Sequence, residues 1–390
     1  MGEAQELQLR VSAHEAINEA KPQNGHTNGP KPRRKLISWI RIGIYAVFVL
    51  AGQSVAMLLG RLYFAKGGNS KWMGTLVQLV GFPVLFPYYL IPSKKNKNSI
   101  TESPRTNPSS KPPSCLVLAS SYTVLGILLA ADCYLYSVGL MYLPVSTYSL
   151  ICASQLAFNA FFSFFLNSQK FTFHIINSLV LLTVSSILLV FQSENEDTPN
   201  VSRGKYAIGF ICTVGASAGY GLVLSLTQFL FNRVLKSERF SVIIDVIVCE
   251  ALVASLVTLV GLFASGEWKG LTAEMNSYAL GKVSYIMVLA WTAISWQLFS
   301  IGSMGLIIEL SSLFSNAISV LGLPIVPVLA VFFFHEKMDG IKVMAMMLAI
   351  WGFISYAYQN YVDDYSTKKE SQKATRENRA LSIGEREINI

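Results

Sequence analysis

The sequence predicts an all-α polytopic membrane protein, with ten transmembrane helices arranged as two inverted five-helix repeats. Three observations lead there. Of 390 residues, 52% are hydrophobic and only 14% charged, and that charge is crowded into a few segments, whereas a soluble chain spreads it over its whole surface. Between those segments lie apolar runs of about 18 to 25 residues, long enough at 1.5 Å per residue to cross about 30 Å of hydrocarbon. Finally, a short pattern recurs once in each half of the chain.

The first 38 residues are polar and end in Lys31-Pro32-Arg33-Arg34-Lys35. The apolar run that opens near Ile40 is too long, and its polar leader too extended, for a cleaved signal peptide; it is expected to be the first span. Spans are placed at 40–60, 72–91, 115–141, 145–166, 173–191, 206–231, 241–264, 282–302, 309–334 and 341–361. Short turns are expected at Leu143-Pro144 and across Gly302–Gly305. Pro144 suits a helix's first turn, where its missing N–H costs nothing. Pro83 and Pro87 are expected to bend the second span, Pro324 and Pro327 the ninth. The organisation is then a disordered N-terminal tail (1–38), a first repeat (40–191), a second repeat (206–361) and a disordered C-terminal tail (364–390) in which Lys, Glu, Arg and Ser alternate.

An even number of spans puts both termini on one side. With the tails inside, about twenty Lys and Arg fall on inner segments and about nine on outer ones, the bias expected of cytosolic loops. Lys94, Lys95, Lys97, Arg105, Lys111, Arg233, Lys236 and Arg239 lie inside. The acidic Glu194-Asn195-Glu196-Asp197 and the sequon Asn200-Val201-Ser202 lie outside. The net charge of +8 follows from this asymmetry and calls for no nucleic acid. Both termini are expected in the cytosol and the plasma membrane is the expected location.

Ser137-Val138-Gly139-Leu140-Met141 resembles Ser300-Ile301-Gly302-Ser303-Met304, and residues 164–170 echo 332–337, ending in Asn167-Ser168-Gln169-Lys170 and Phe334-His335-Glu336-Lys337. Each pair falls before and after one span of its half. Five spans per half is odd, so the halves run in opposite directions, a plan that places a transported substrate between them near the midplane.

Asp132-Cys133-Tyr134-Leu135-Tyr136-Ser137-Val138-Gly139-Leu140 and the stretch 142–151, continuing through 154–160 to 167–172, resemble the signature of the plant purine permease family. Residues 60–64, 81–83 and 334–337 are similar too, so the resemblance runs from about 40 to 361. It implies the ten-helix drug/metabolite transporter fold and proton-coupled uptake of adenine-like bases. Some relatives carry cytokinins, other alkaloids or vitamin B6 forms. The implied partners are a purine-type substrate, protons and the bilayer; no cofactor is implied, and the oligomeric state is left open.

A carboxylate at the bilayer centre costs about 2.5–3.5 kcal/mol, so each one needs a reason. Asp132, inside the third span, and Glu250, inside the seventh, are candidate proton carriers, because burial favours the neutral form; the other reading is a structural carboxylate bonded to a neighbouring hydroxyl. Glu309 is expected to open the ninth span, and Asp245 and Glu336 to stay hydrated near the interfaces.

Gln155 and Asn159 are four apart and share a helical face. An amide can meet adenine bidentately; it can equally well join two helices. Trp291, Trp296 and Gln297 lie deep in the eighth span, where an indole can stack on a base or simply pack. Tyr134, Tyr136 and Tyr148 carry the same pair of readings. No Lys or Arg is expected inside a span, which argues against phosphate esters, whose carriers need fixed cations.

Gly215-Ala216-Ser217-Ala218-Gly219 offers a small-residue face for close helix contact. The five cysteines lie singly in apolar surroundings and the four histidines are scattered, so no metal site is expected. A membrane-embedded receptor or enzyme is the other class to weigh. A receptor has no need of two inverted halves, and an enzyme needs a nucleophile or metal cluster that the sequence lacks.

Overall fold

The computed structural model describes residues 32–90, 115–168, 202–235, 240–336 and 338–348, with isolated positions between 176 and 184 and between 350 and 358. The chain divides into two compact units, Met1–Arg41 and Ile42–Ile390. Helical residues 32–41 are what is described of the first; the core and the cavity belong to the second.

Every regular element among the described residues is helical: α1 (Pro32–Ala65), α2 (Lys71–Leu79), α3 (Phe86–Leu90), α4 (Cys115–Tyr142), α5 (Val145–Cys152), α6 (Gln155–Asn167), α7 (Arg203–Phe229), α8 (Phe240–Ala264), α9 (Leu271–Ser277), α10 (Lys282–Glu309), α11 (Ser312–Gly322) and α12 (Ile325–Phe334). Among the described residues, seven stretches are long and apolar enough to cross a membrane, with α5 and α6 forming one and α11 and α12 another. Residues 32–38, expected as disordered tail, are helical and open α1; the rest of both tails, the loop around 94–111, most of the expected fifth span and part of the tenth lie outside the described residues.

The expected second span is not one helix. Ser70 caps α2, its Oγ accepting from the Met73 amide at 2.9 Å. The chain then passes through a 3₁₀ turn at Phe82–Leu85, with Pro83 in its first turn, into the short α3. Pro83 and Pro87 lack the N–H that a continuous ladder requires. The helix expected to stop at 302 instead runs to Glu309, and the turn falls at Leu310–Ser311. Glu309 therefore closes α10 rather than opening the next span. Gly302 is no helix breaker there: a Cβ on it would lie 2.6 Å from the Tyr45 carbonyl oxygen of α1, so its role is close approach. Gly52 of α1 does the same in return, facing the Ser295 carbonyl of α10 at 2.7 Å.

Polarity is turned outside in. Ile211, Val260 and Val283 are about 70% exposed, while Gln53, Asp132, Gln155, Asn159 and Glu250 are all under 5%. A helix in lipid gains nothing by hiding apolar side chains, and its polar ones must find partners inside the bundle.

Among the described residues, two further spans are broken mid-way. The first breaks at Ala153–Ser154 between α5 and α6, the second at Leu323–Pro324 between α11 and α12. α5 packs on α12 and α6 on α11, so the broken spans lie side by side and run antiparallel. Each ends in a left-handed residue, Ser168 and His335, both at φ 54°.

Candidate functional site

A cavity with about 930 Å³ of empty space, counting its open mouth, lies among α1, α2, α4 to α8 and α10. Its walls are mainly apolar and aromatic, with Tyr136, Tyr148, Tyr220, Trp296 and Phe299 offering flat surfaces. Among the residues lining it none is Lys or Arg. A smaller cavity of about 380 Å³ runs on towards the α1–α2 turn and shares Gln78, Tyr148 and Trp296 with the first.

Of the residues singled out from the sequence, Asp132, Tyr136, Tyr148, Gln155, Glu250 and Trp296 line the main cavity. Four do not. Trp291 is 56% exposed on the outer surface of α10; five residues from Trp296, it sits about 140° away around the helix. Tyr134 stacks on Trp72, ring centroids 4.4 Å apart. Gln297 is buried beside Gly81, whose Cβ would meet its side chain at 3.1 Å. Asn159 is wholly engaged: its Nδ2 donates to the Ser312 carbonyl at 3.2 Å, and its Oδ1 accepts from Ser225 Oγ at 2.8 Å and Ser163 Oγ at 3.3 Å.

Gln155 faces the cavity but is also committed. Its Nε2 donates to Ser319 Oγ at 3.0 Å, its Oε1 receives the Tyr136 hydroxyl at 3.4 Å, and its carbonyl receives Asn316 Nδ2 at 3.1 Å. Ser319 in turn donates to Gln53 Oε1 at 2.8 Å. This chain ties α1, α4, α6 and α11 together across the broken spans.

The carboxylates differ from the amides. Among the described residues, neither oxygen of Asp132 has a hydrogen-bond partner, nor does Oε1 of Glu250 or Oγ1 of Thr227, and all three residues line the cavity. Asp132 lies against the α7 backbone: a Cβ on Gly219 would come within 2.6 Å of its Oδ1. The Tyr220 amide faces it there but is held in its own helix ladder. Glu250 sits at the level of Gly126, whose Cβ would meet the Glu250 carbonyl at 3.0 Å. Six residues of α4 separate that level from Asp132, about 9 Å along the axis. The two carboxylates thus serve different depths.

Sequence reasoning passed over Gln53, Gln78, Tyr220, Thr227, Phe299 and Ser303, all of which line the cavity. The signal that marked Gln155, an amide inside an apolar span, marks Gln53 and Gln78 equally. Nor was Arg61 expected inside a span. α1 continues to Ala65, and Arg61 Nη1 donates to the Leu140 carbonyl at 3.1 Å at the end of α4, away from the cavity lining. Glu336, expected to be hydrated, is half-buried and accepts from the Ser146 amide at 3.1 Å.

A family model described as purine nucleobase transmembrane transport matches residues 40–366. The chain belongs to this purine permease family. "Probable purine permease 10" of Arabidopsis thaliana is 58% identical over 362 residues, covering 93% of this chain and 90% of the relative. "Purine permease 21" of the same plant is 59% identical over 339 residues, covering 87% and 85%. A solved structure overlaps 82% of this chain and 95% of its own at a TM-score of 0.40 and 18% identity, a likeness that decides nothing. The permease is a multi-pass membrane protein and not an enzyme.

Proposed function

We propose that this purine permease is a secondary active transporter that moves purine nucleobases and related bases, adenine and cytokinin-type bases among them, in company with protons. The observation that carries the substrate reading is the cavity: aromatic planes, three partnerless buried polar side chains and no fixed cation, in a chain of the purine permease family. Flat faces suit a heteroaromatic ring, and stacking contributes about 1–3 kcal/mol per base. Without Lys or Arg the walls offer nothing to a phosphate.

Asp132 and Glu250 are the groups available to take up a proton, each buried without a cationic neighbour in the lining. The ten-span plan of two inverted repeats, 40–191 and 206–361, is part of this reading. It is supported by the antiparallel pairing of the broken spans and by the left-handed residues at their matching ends. Substrate then sits between the halves. The basic-residue bias favours cytosolic termini and the plasma membrane completes the picture.

The test is uptake of labelled adenine into a host that lacks its own base transporter, with and without a protonophore. Uptake that is saturable, competed by free purine bases and collapsed by the protonophore is the expected result. Saturable uptake unaffected by the protonophore would leave a facilitator without proton coupling. No uptake in cells that hold the protein at their surface would sink the transport reading.

A further inference from the structure

We infer that Asp132, in its neutral acid form, is the group that reads the hydrogen-bonding edge of the base, so that proton and base are bound as one event. The inference rests on the purine-transport reading and assigns a specific role within that site. It departs from the expectation that an amide does the reading.

No amide lining the cavity keeps both ends of its side chain free: Gln53 Oε1 accepts from Ser319 Oγ, Gln78 Nε2 donates to Ser137 Oγ and Gln155 is committed at both ends. Gln155 and Asn159 use both ends of their side chains on neighbouring helices, and Asn159 does not reach the cavity. Gln78 Nε2 is held by Ser137 Oγ at 2.8 Å and the Gly74 carbonyl at 3.1 Å. Asp132 alone presents two buried oxygens with no partner, 4% exposed and facing the cavity. A buried polar group left unpaired costs about 1–3 kcal/mol. Whatever fills the cavity recovers that cost only if it brings matching donors and acceptors.

A neutral carboxyl is a two-pronged group: its O–H donates and its C=O accepts. The aminopyridine-like edge of adenine is the complement, with an exocyclic N–H that donates and a ring nitrogen that accepts. The pair closes two hydrogen bonds in one plane. An ionised carboxylate offers acceptors only and forfeits the bond to the ring nitrogen. Base affinity therefore rises as pH falls through the titration of Asp132 and levels off below it.

The titratable groups facing Asp132 are Cys133 and Tyr136 on its own helix, Tyr148 and Cys152 on α5, and Tyr220 on α7. The Glu250 main chain on α8 lies about 9 Å away along the helix axis, and Gln78 of α2 is uncharged. None of these is a cation that would hold the carboxyl ionised. Packing fixes its position, since α7 leaves it only the width of Gly219.

The experiment is equilibrium binding of labelled adenine, and of N6,N6-dimethyladenine, which lacks the exocyclic N–H, to the purified permease in nanodiscs. It compares wild type, Asp132→Asn and Asp132→Leu at acidic and mildly alkaline pH. Asn presents the same donor and acceptor fork without a titratable proton and serves as the folding control. Wild type should prefer adenine to the dimethyl base about ten- to a hundredfold, with affinity increasing towards acid. Asp132→Asn should keep adenine binding within about threefold and lose the pH dependence. Asp132→Leu should bind both bases equally and weakly. Adenine affinity unchanged in Asp132→Leu, or wild-type pH dependence in Asp132→Asn, overturns the assignment while leaving purine transport intact. A wild type that binds no purine base overturns the underlying reading instead.

Discussion

The Glu336 carboxylate caps the first turn of α5, its Oε1 accepting from the Val145 amide at 2.8 Å. The other oxygen takes the Ser146 amide at 3.1 Å and the Ser146 hydroxyl. Helix starts leave amides without partners, and Pro144 at the cap position has no side-chain oxygen to offer. The left-handed turn at His335 brings the carboxylate from the end of α12 to fill that gap. Glu336→Ala should therefore lower stability by about 1–2 kcal/mol, the usual worth of a lost cap, while Glu336→Gln, which keeps an acceptor, should lose less. Thermal melting of the detergent-solubilised protein measures both.

Asn159 joins α6, α7 and α11 and stays out of the cavity. Asn159→Ala should cost about 1–3 kcal/mol of stability by stranding its partners, with base affinity unchanged in whatever protein remains folded. A melting curve paired with a binding isotherm separates these; an affinity loss with an unchanged melting point would contradict the structure.

The two tryptophans of α10 should part company. Trp296→Ala removes a ring from the wall between the two cavities and should weaken adenine about ten- to a hundredfold. Trp291→Ala alters a surface that faces outward and should leave affinity as it was. Competition binding on both variants decides it.

Proton dependence has a definite sign. If Glu250 carries a proton inward, external acid loads it, so accumulation should rise as outside pH falls. Glu250→Gln should lower pH-driven accumulation to the share coupled through Asp132 while sparing exchange of labelled for unlabelled base. Counterflow in proteoliposomes measures exchange without any gradient.

Nucleotides should not compete. A cavity lined by no Lys or Arg gives a phosphate no partner for its charge. AMP at concentrations where adenine saturates uptake should leave transport of labelled adenine unaffected.

Much of this was written in the apolar runs. Composition and run length marked the membrane class and seven of the spans, because length against bilayer thickness is a strong constraint. The break at Ala153–Ser154 carries neither Gly nor Pro and left no local signal, whereas Pro324 announced its counterpart. Gln155 and Asn159 share a helical face by spacing, yet which of them meets the cavity depends on where α7 and α11 lie. Helical geometry alone separates Trp291 from Trp296. Arg61 lies just past the apolar run that marks the first span, although α1 continues to Ala65, and the glycine at 302 signals a close contact rather than a stop.

That contact bears on how the molecule moves. Gly52 and Gly302 each rest on the main chain of the opposite helix, with no room for a side chain. Sliding α1 along α10 by even one residue would drive a larger neighbour into that seam. The two helices can rotate about the contact but cannot translate along it, so whatever rearrangement passes a base through the protein must pivot there, as a door does on its jamb.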